Sequence, residues 1–260
     1  MAKINSELVI LDKVRSLTAH NLATDEMLLR LTSLEDPSLQ CTAEGEEVVD
    51  AIGAVITTLY RAKKATFSAT NSLISLDLAA SQYGTEKEIA SEEGKIVTST
   101  YEILTISDEG KVTLKHTPSN DVMWIYAIAN GETGTGYKVG SAVSDTEFTI
   151  ADGVITVPTG LTGKVYVEYE YETANAVRIV NSASKFPEAC KVRIYAYFRD
   201  KCNENIVYSG VIICPKAKLN PEQVELALTS TGKHAFEFTM MKDYCAEEGA
   251  DELFTIIVAE

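Results

Sequence analysis

Three histidines, five cysteines and a few Gly-Lys turns are the residues of this 260-residue chain from which a reactive centre could be assembled. His20, His116 and His234 stand far apart, with no second histidine at the i, i+4 spacing that puts two imidazoles on one helical face. Cys41, Cys190, Cys202, Cys214 and Cys245 are odd in number and form no Cys-x-x-Cys pair, so reduced thiols are expected rather than a disulfide framework. A zinc site from Cys190, Cys202, Cys214 and His234 requires the fold to gather distant segments, and buried structural thiols are the simpler expectation. GETGTGYKVG, from Gly131 to Gly140, has the glycines of a phosphate loop. Such a loop must open a helix whose amides meet the phosphate, and here a strand-like segment follows, so the stretch is expected to be a β-turn. GLTGKV and STGKHA lack the full phosphate-loop spacing and suit hairpin turns. No Gly-x-Ser-x-Gly elbow occurs, and abundant carboxylates nominate no particular acid/base pair. The expectation is a protein without catalytic, metal or cofactor residues.

Two aromatic stretches invite a binding function. Tyr and Glu alternate from Tyr166 to Glu172, which suits either a sugar-stacking face or an ordinary strand with one solvated acidic side. KVRIYAYFRDK mixes bases with aromatics as single-strand platforms do, although an edge strand guarded by charges explains it as well. Charge weighs against nucleic-acid binding: 23 Lys and Arg face 38 Asp and Glu, a formal −15. A clamp on phosphates needs basic surface to release counterions, whereas a surface that nucleic acid must slide past does not.

The elements able to position such residues are mostly strands. Apolar residues make up 45% of the chain, enough for a packed core, and no run approaches the roughly 20 residues that span a bilayer. The N-terminus shows no apolar core followed by a cleavage site, so synthesis in the cytoplasm is expected. Leu8–Leu17 and Asp25–Leu34 are the most helix-like segments, and Leu39–Thr42 could begin a strand. Ala54–Lys63 and Ala65–Asn71 are rich in β-branched and aromatic residues and predict two strands. Leu73–Gln82 predicts a short helix or loop ending near Gly84. After the charged stretch 84–95 comes a separate all-β block with turns containing Asp-Gly, Asn-Gly and Thr-Gly. FTIADGVITV within it is a strong hairpin signal, and the strand spacing suggests an immunoglobulin-like sandwich. Further strands follow, including a hairpin that places Val224, Leu226, Leu228, Phe236, Phe238 and Met240 on one face and Glu225, Thr229, Glu237 and Thr239 on the other. MKDYCAEEG suggests a helical turn. The expected organisation is a discontinuous β domain, 1–93 with 174–260, carrying an inserted sandwich, 94–173.

RLTSLEDPSLQCTAEGEEVVDA, ITTLYRAKKATFSATNSLISLDLAA, KFPEACKVRIYAYF and AKLNPEQVELALTSTGKHAFEFTMM together resemble the tube-forming, or major tail, proteins of long-tailed bacteriophages. The resemblance covers most of 25–93 and 178–260, while the insert matches only generically. It implies a mainly β fold: a β-sandwich or incomplete barrel with one flanking helix. It further implies hexameric rings that stack into a tail tube, the conduit for DNA ejection, through loops, long hairpins and terminal arms. The partners implied are further copies of the chain and other tail proteins, with DNA passing through the lumen without specific binding, no membrane, and a place in the virion.

On that resemblance Ala54–Asn71 supplies channel-lining strands, with Thr57, Thr58, Arg61, Ser68 and Thr70 as wet positions; an ordinary exposed sheet face is the alternative. Glu225, Thr229, Glu237 and Thr239 are candidates for the channel or for a neighbouring subunit. Six copies at −15 carry about −90 formal charges per ring, which discourages DNA adhesion. Arg61, Lys63 and Lys64 oppose this locally and are expected to pair with acids on neighbouring subunits. The insert is expected on the tube exterior, which favours a non-contractile tail. Alternative readings are a capsid decoration or baseplate protein, or a secreted carbohydrate-binding β-sandwich, against which the missing leader and the thiols count.

Overall fold

A computed structural model describes residues 9–203, 205–222, 226, 232–245 and 251–259. The chain divides into two compact units, Met1–Lys87 with Ile179–Glu260, and Glu88–Arg178. The first segment contains β1 (Val9–Asn21), β2 (Met27–Leu31), β3 (Leu34–Val49), β4 (Val55–Asn71) and α1 (Leu76–Tyr83). The second unit contains β5 (Glu88–Ile89), β6 (Ile96–Thr105), β7 (Lys111–Thr113), β8 (Trp124–Ala129), β9 (Glu132–Val139), β10 (Glu147–Ala151), β11 (Val154–Thr156), β12 (Lys164–Thr173) and β13 (Val177–Arg178). The chain then returns to the first unit with β14 (Ala189–Asp200), β15 (Val207–Leu219), β16 (His234–Met240) and β17 (Thr255–Ala259).

In the first unit the strands run β2-β1-β14-β15-β16-β4-β3, with β17 pairing β15 beside that path. The sheet curls into a nearly closed barrel whose inner face carries Leu17, Phe67, Ile194, Cys214, Phe236 and Phe238. The alternation on β16 is complete: His234, Phe236, Phe238 and Met240 are buried and the residues between them half-buried. A period of two sends successive side chains to opposite faces, so one face becomes core and the other stays polar. Each large apolar side chain removed from water in this way contributes about 1.5–3 kcal/mol.

Helix α1 packs on this core through fully buried Leu78. Ser75 caps its N-terminus by accepting from the Leu78 amide, and Asp77 in the first turn suits the positive end of the helix dipole. Gly84 ends it with φ 66°, where a Cβ would lie 2.1 Å from the Phe186 carbonyl oxygen, so only glycine fits. Gln82 fastens the helix to the sheet: its carboxamide accepts from the His234 ring and donates to the Ala235 carbonyl (3.2 Å).

In the second unit the path is β6-β12-β8-β9-β10-β11-β7, with β9 and β10 parallel; β5 and β13 form a separate pair. Val165 and Val167 from β12, Ile125 from β8, Phe148 from β10, Ile155 from β11 and Val112 from β7 share one apolar cluster. Strands from both ends of the path therefore face each other, and the sheet folds over on itself. Asp152-Gly153 turns the β10–β11 hairpin with both residues at positive φ, as FTIADGVITV predicts.

Several expectations are corrected. Leu8–Leu17 and Asp25–Leu34 hold no helix among the described residues: β1 spans thirteen residues, and β2 pairs with it. Their helical spacing is overridden because both edges of β1 find ladder partners, β14 and β2. The two strands expected at 54–63 and 65–71 are one, because a bulge rather than a turn separates them. KVRIYAYFRD is not an edge strand, since β14 lies between β1 and β15. GETGTGYKVG is strand β9, its turn supplied by Asn130-Gly131 just before it. Of MKDYCAEEG, 241–245 contain no helix, and the rest, like Val224, Glu225, Leu228 and Thr229 of the predicted hairpin, lies outside the described residues. Leu226 bridges to His234 opposite it.

Candidate functional site

The longest strand pair, β3–β4, builds the candidate site. Glu35, Ser38, Gln40, Thr42, Glu44 and Glu46 on β3 stand opposite Thr70, Ser68, Thr66, Lys64, Arg61 and Leu59 on β4. On the far side of β4, Glu237 and Thr239 of β16 stand opposite Ser68 and Thr66. Directly opposed residues share a face, so these side chains form one polar surface across three strands.

Simple alternation would separate this surface into two. Arg61 and Ser68 are seven positions apart, and an odd interval along a regular strand reverses the face. The reversal is cancelled between Thr42 and Glu44, where Ala62 and Lys63 together oppose one residue of β3. Ala62 sits at φ 50° in the left-handed region, the conformation that opens a bulge of this kind. Thr57 and Arg61 thereby share the face of Ser68 and Thr70. A second bulge, with Asp36 at φ 49°, keeps Glu35 in step with Ser38 on β3.

Six of the candidate residues, Thr57, Arg61, Ser68, Thr70, Glu237 and Thr239, are brought together. Thr58 is not: it pairs with Glu47 on the opposite face and is half-buried. Glu225 and Thr229 lie outside the described residues. The partners on β3 were missed at the sequence level, although the alternation Thr42, Glu44, Glu46 was a signal for them.

Two basic groups at the face are matched within the chain. Arg61 pairs with Glu46 of its own chain. Lys233 pairs with Glu35, and with the Ser72 hydroxyl donating at 2.9 Å it holds the Glu35 carboxyl below its usual range. The Asn220 amide donates to Glu237 at 3.1 Å, and Asp36, Ser68, Thr70, Asn220 and Glu237 line an open cleft together with Ala69, Ala235 and Phe236.

The hairpin reaches past the core that supports it. From Ala65 to Asn71, β4 alternates buried and half-buried. From Val55 to Lys64 every residue but Thr58 is exposed, on both faces, and β3 is exposed throughout from Gln40 to Val49. Val48, Val49, Ile52, Val55, Ile56, Leu59 and Tyr60 are large apolar residues left in water there. A two-stranded ribbon is marginal alone, and apolar side chains on it mark a contact surface.

Of the remaining chemistry-bearing residues, Cys190, Cys214 and His234 serve the core. Burial pushes the Cys190 and Cys214 thiols up to about 12, and Cys214 packs on the Met240 sulfur at 3.7 Å. Cys41, Cys202 and Cys245 are exposed and free. His234 is fully buried, and desolvation holds its imidazole below the ordinary value. Among the described residues no group of His, Cys, Asp and Glu could hold a metal ion, and no helix is long and apolar enough to cross a membrane.

A curled, nearly closed β-sheet with a long polar face and a projecting, half-unsupported ribbon defines a mainly β protein. The chain matches the YomU/Tube protein family over residues 9–252 and belongs to it. That family is phage-derived, which makes the chain a tail-type structural protein and a virion component. No curated protein matches it.

Proposed function

We propose that the chain is a tail-tube protein: copies join edge to edge into hexameric rings, the rings stack, and the lumen conducts DNA. The observation that supports this most is the outer half of β3–β4, whose strands are paired yet carry apolar side chains on both faces with nothing to cover them. A neighbouring copy covers them in the assembled tube, and closing the ring removes the exposed edges of β2 and β3. The polar face bearing Thr57, Arg61, Ser68, Thr70, Glu237 and Thr239 lines the channel. Arg61 and Lys233 beside this face are paired with acids, and the chain as a whole is strongly acidic, which disfavours tight adhesion of DNA. No catalytic role is proposed, and the partners are further copies and other tail proteins.

Negative-stain microscopy of purified protein tests the reading. Hollow tubes or six-fold rings are expected. A protein that stays monomeric at high concentration, with the ribbon protected by nothing but solvent, would sink it.

A further inference from the structure

The unit Glu88–Arg178 carries a surface that the tube reading leaves unused. On the outward face of its β6-β12-β8-β9 sheet, Ile103, Tyr166, Tyr126 and Gly136 lie side by side in one row across the four strands. In the next row Tyr101 stands opposite Glu168 on β12, and Trp124 stands opposite Lys138 on β9. Tyr101 is 64% exposed and Trp124 47%, large values for aromatic side chains in strands. Tyr101 stacks on Tyr166 with centroids 5.6 Å apart, and Tyr166 meets Tyr126 at 6.4 Å. Tyr126 is laid down over Gly136, where a Cβ would come within 2.9 Å of its ring. The glycine thus supports one face of that ring and leaves the other turned outward.

We propose that this aromatic platform binds a neutral saccharide chain. The apolar C–H face of a sugar ring stacks on an aromatic face, where the electron-rich surface meets weakly positive hydrogens. Sugar hydroxyls need hydrogen-bond partners within the same patch, and these are present. Glu168, which accepts from the Tyr166 hydroxyl at 3.2 Å, and Lys138 lie in the same row as Tyr101 and Trp124. That interleaving disfavours a second protein copy, since the centres of protein interfaces are depleted of charge. Both signs occur in the patch, with Lys138 and Lys164 among the outward residues beside Glu168 and Glu170, so a neutral ligand is matched better than a polyanion or a basic peptide. The surface is an open sheet face, which suits a chain lying along it more than a small molecule held in a cavity.

Trp124 is the only tryptophan of the protein, so its fluorescence reports on this patch directly. The full chain is titrated with cellohexaose, chitohexaose and mannohexaose, with heparin, duplex DNA and oligolysine as charged comparisons. A saturable change with at least one neutral oligosaccharide is expected. Tyr101→Ala and Glu168→Gln should each weaken it about tenfold with unchanged thermal unfolding, while Tyr60→Ala on the β3–β4 ribbon leaves it as it was. Silence with all three neutral sugars overturns the proposal. So does a response only to a charged probe, or a change that follows protein concentration alone, the mark of a second copy. Because Tyr60 and Tyr101 lie in different units, loss of tubes and loss of sugar binding are read separately.

Discussion

The inner and outer halves of β4 share a strand, a partner and a polar face, yet differ in what stands behind them. Ala65, Phe67, Ala69 and Asn71 turn into the barrel and are buried, whereas Ile56, Thr58 and Tyr60, which share their face across the bulge, meet no core. Pairing alone therefore does not make a half-buried strand; a second layer does. The outer half is a ribbon with the composition of a buried element and the exposure of a loop. This contrast is the physical case for a partner, since the sequence supplies apolar groups there and the monomer has no place to put them.

The largest effect is expected where the inner half meets the core. Phe67 is 2% exposed and its ring lies 6.4 Å from that of Phe236, so Phe67→Ala should cost about 3–5 kcal/mol in denaturant unfolding. A loss under about 1 kcal/mol would mean that the inner half is no better supported than the outer.

Deleting Ala62 attacks the junction. Without the extra residue, Thr57, Leu59 and Arg61 pass to the face now held by Ile56, Thr58 and Tyr60. Tubes should disappear under the microscope while the core unfolds at a nearly unchanged denaturant concentration. Intact tubes from the deletion would show that the bulge does not set the assembly face. The milder Ala62→Gly relieves the positive φ and should keep both tubes and stability.

A smaller effect concerns pH. His234 is buried beside Gln82 and its folded pKa lies below the ordinary 6.5, so the unfolded chain binds the proton more readily. Stability from this group is complete above that value and declines as pH falls through it towards the folded value. Unfolding midpoints from pH 8 to 5 should show the decline, and His234→Gln should flatten it. A midpoint that rises on acidification would contradict the burial of a neutral ring.

The smallest effect belongs to the outer half. Glu46→Gln removes the partner of Arg61, but both side chains are 63% exposed, so monomer unfolding should hardly move. The variant's salt response in tube assembly separates an ion pair that merely sits on the ribbon from one that tunes the lumen.

Much of the fold was legible. Alternation announced β16 and β12, Asp152-Gly153 announced its hairpin, and Gly84 marked the end of α1. Each is a local signal: side-chain period, turn conformation, cap. The first strands were misassigned as helical because Val9–Asn21 draws its order from ladders on both sides, and the longer of these is with β14, more than a hundred residues away. The candidate face was legible in residue type but not in register. Its polar residues were visible, whereas Ala62 carries no glycine-like flag for the positive φ it adopts. Thr58 was misplaced for the same reason.

By itself the sequence determined the β-rich class, the acidic surface and the alternating core strands, because these depend on composition and on side-chain periods that each segment carries alone. Tertiary structure decided which face each candidate residue occupies, which half of β4 is supported, and that Arg61 meets Glu46. Those outcomes depend on register, and register here is set by a bulge that residue types do not announce and by the distant strand β16 that backs the inner half.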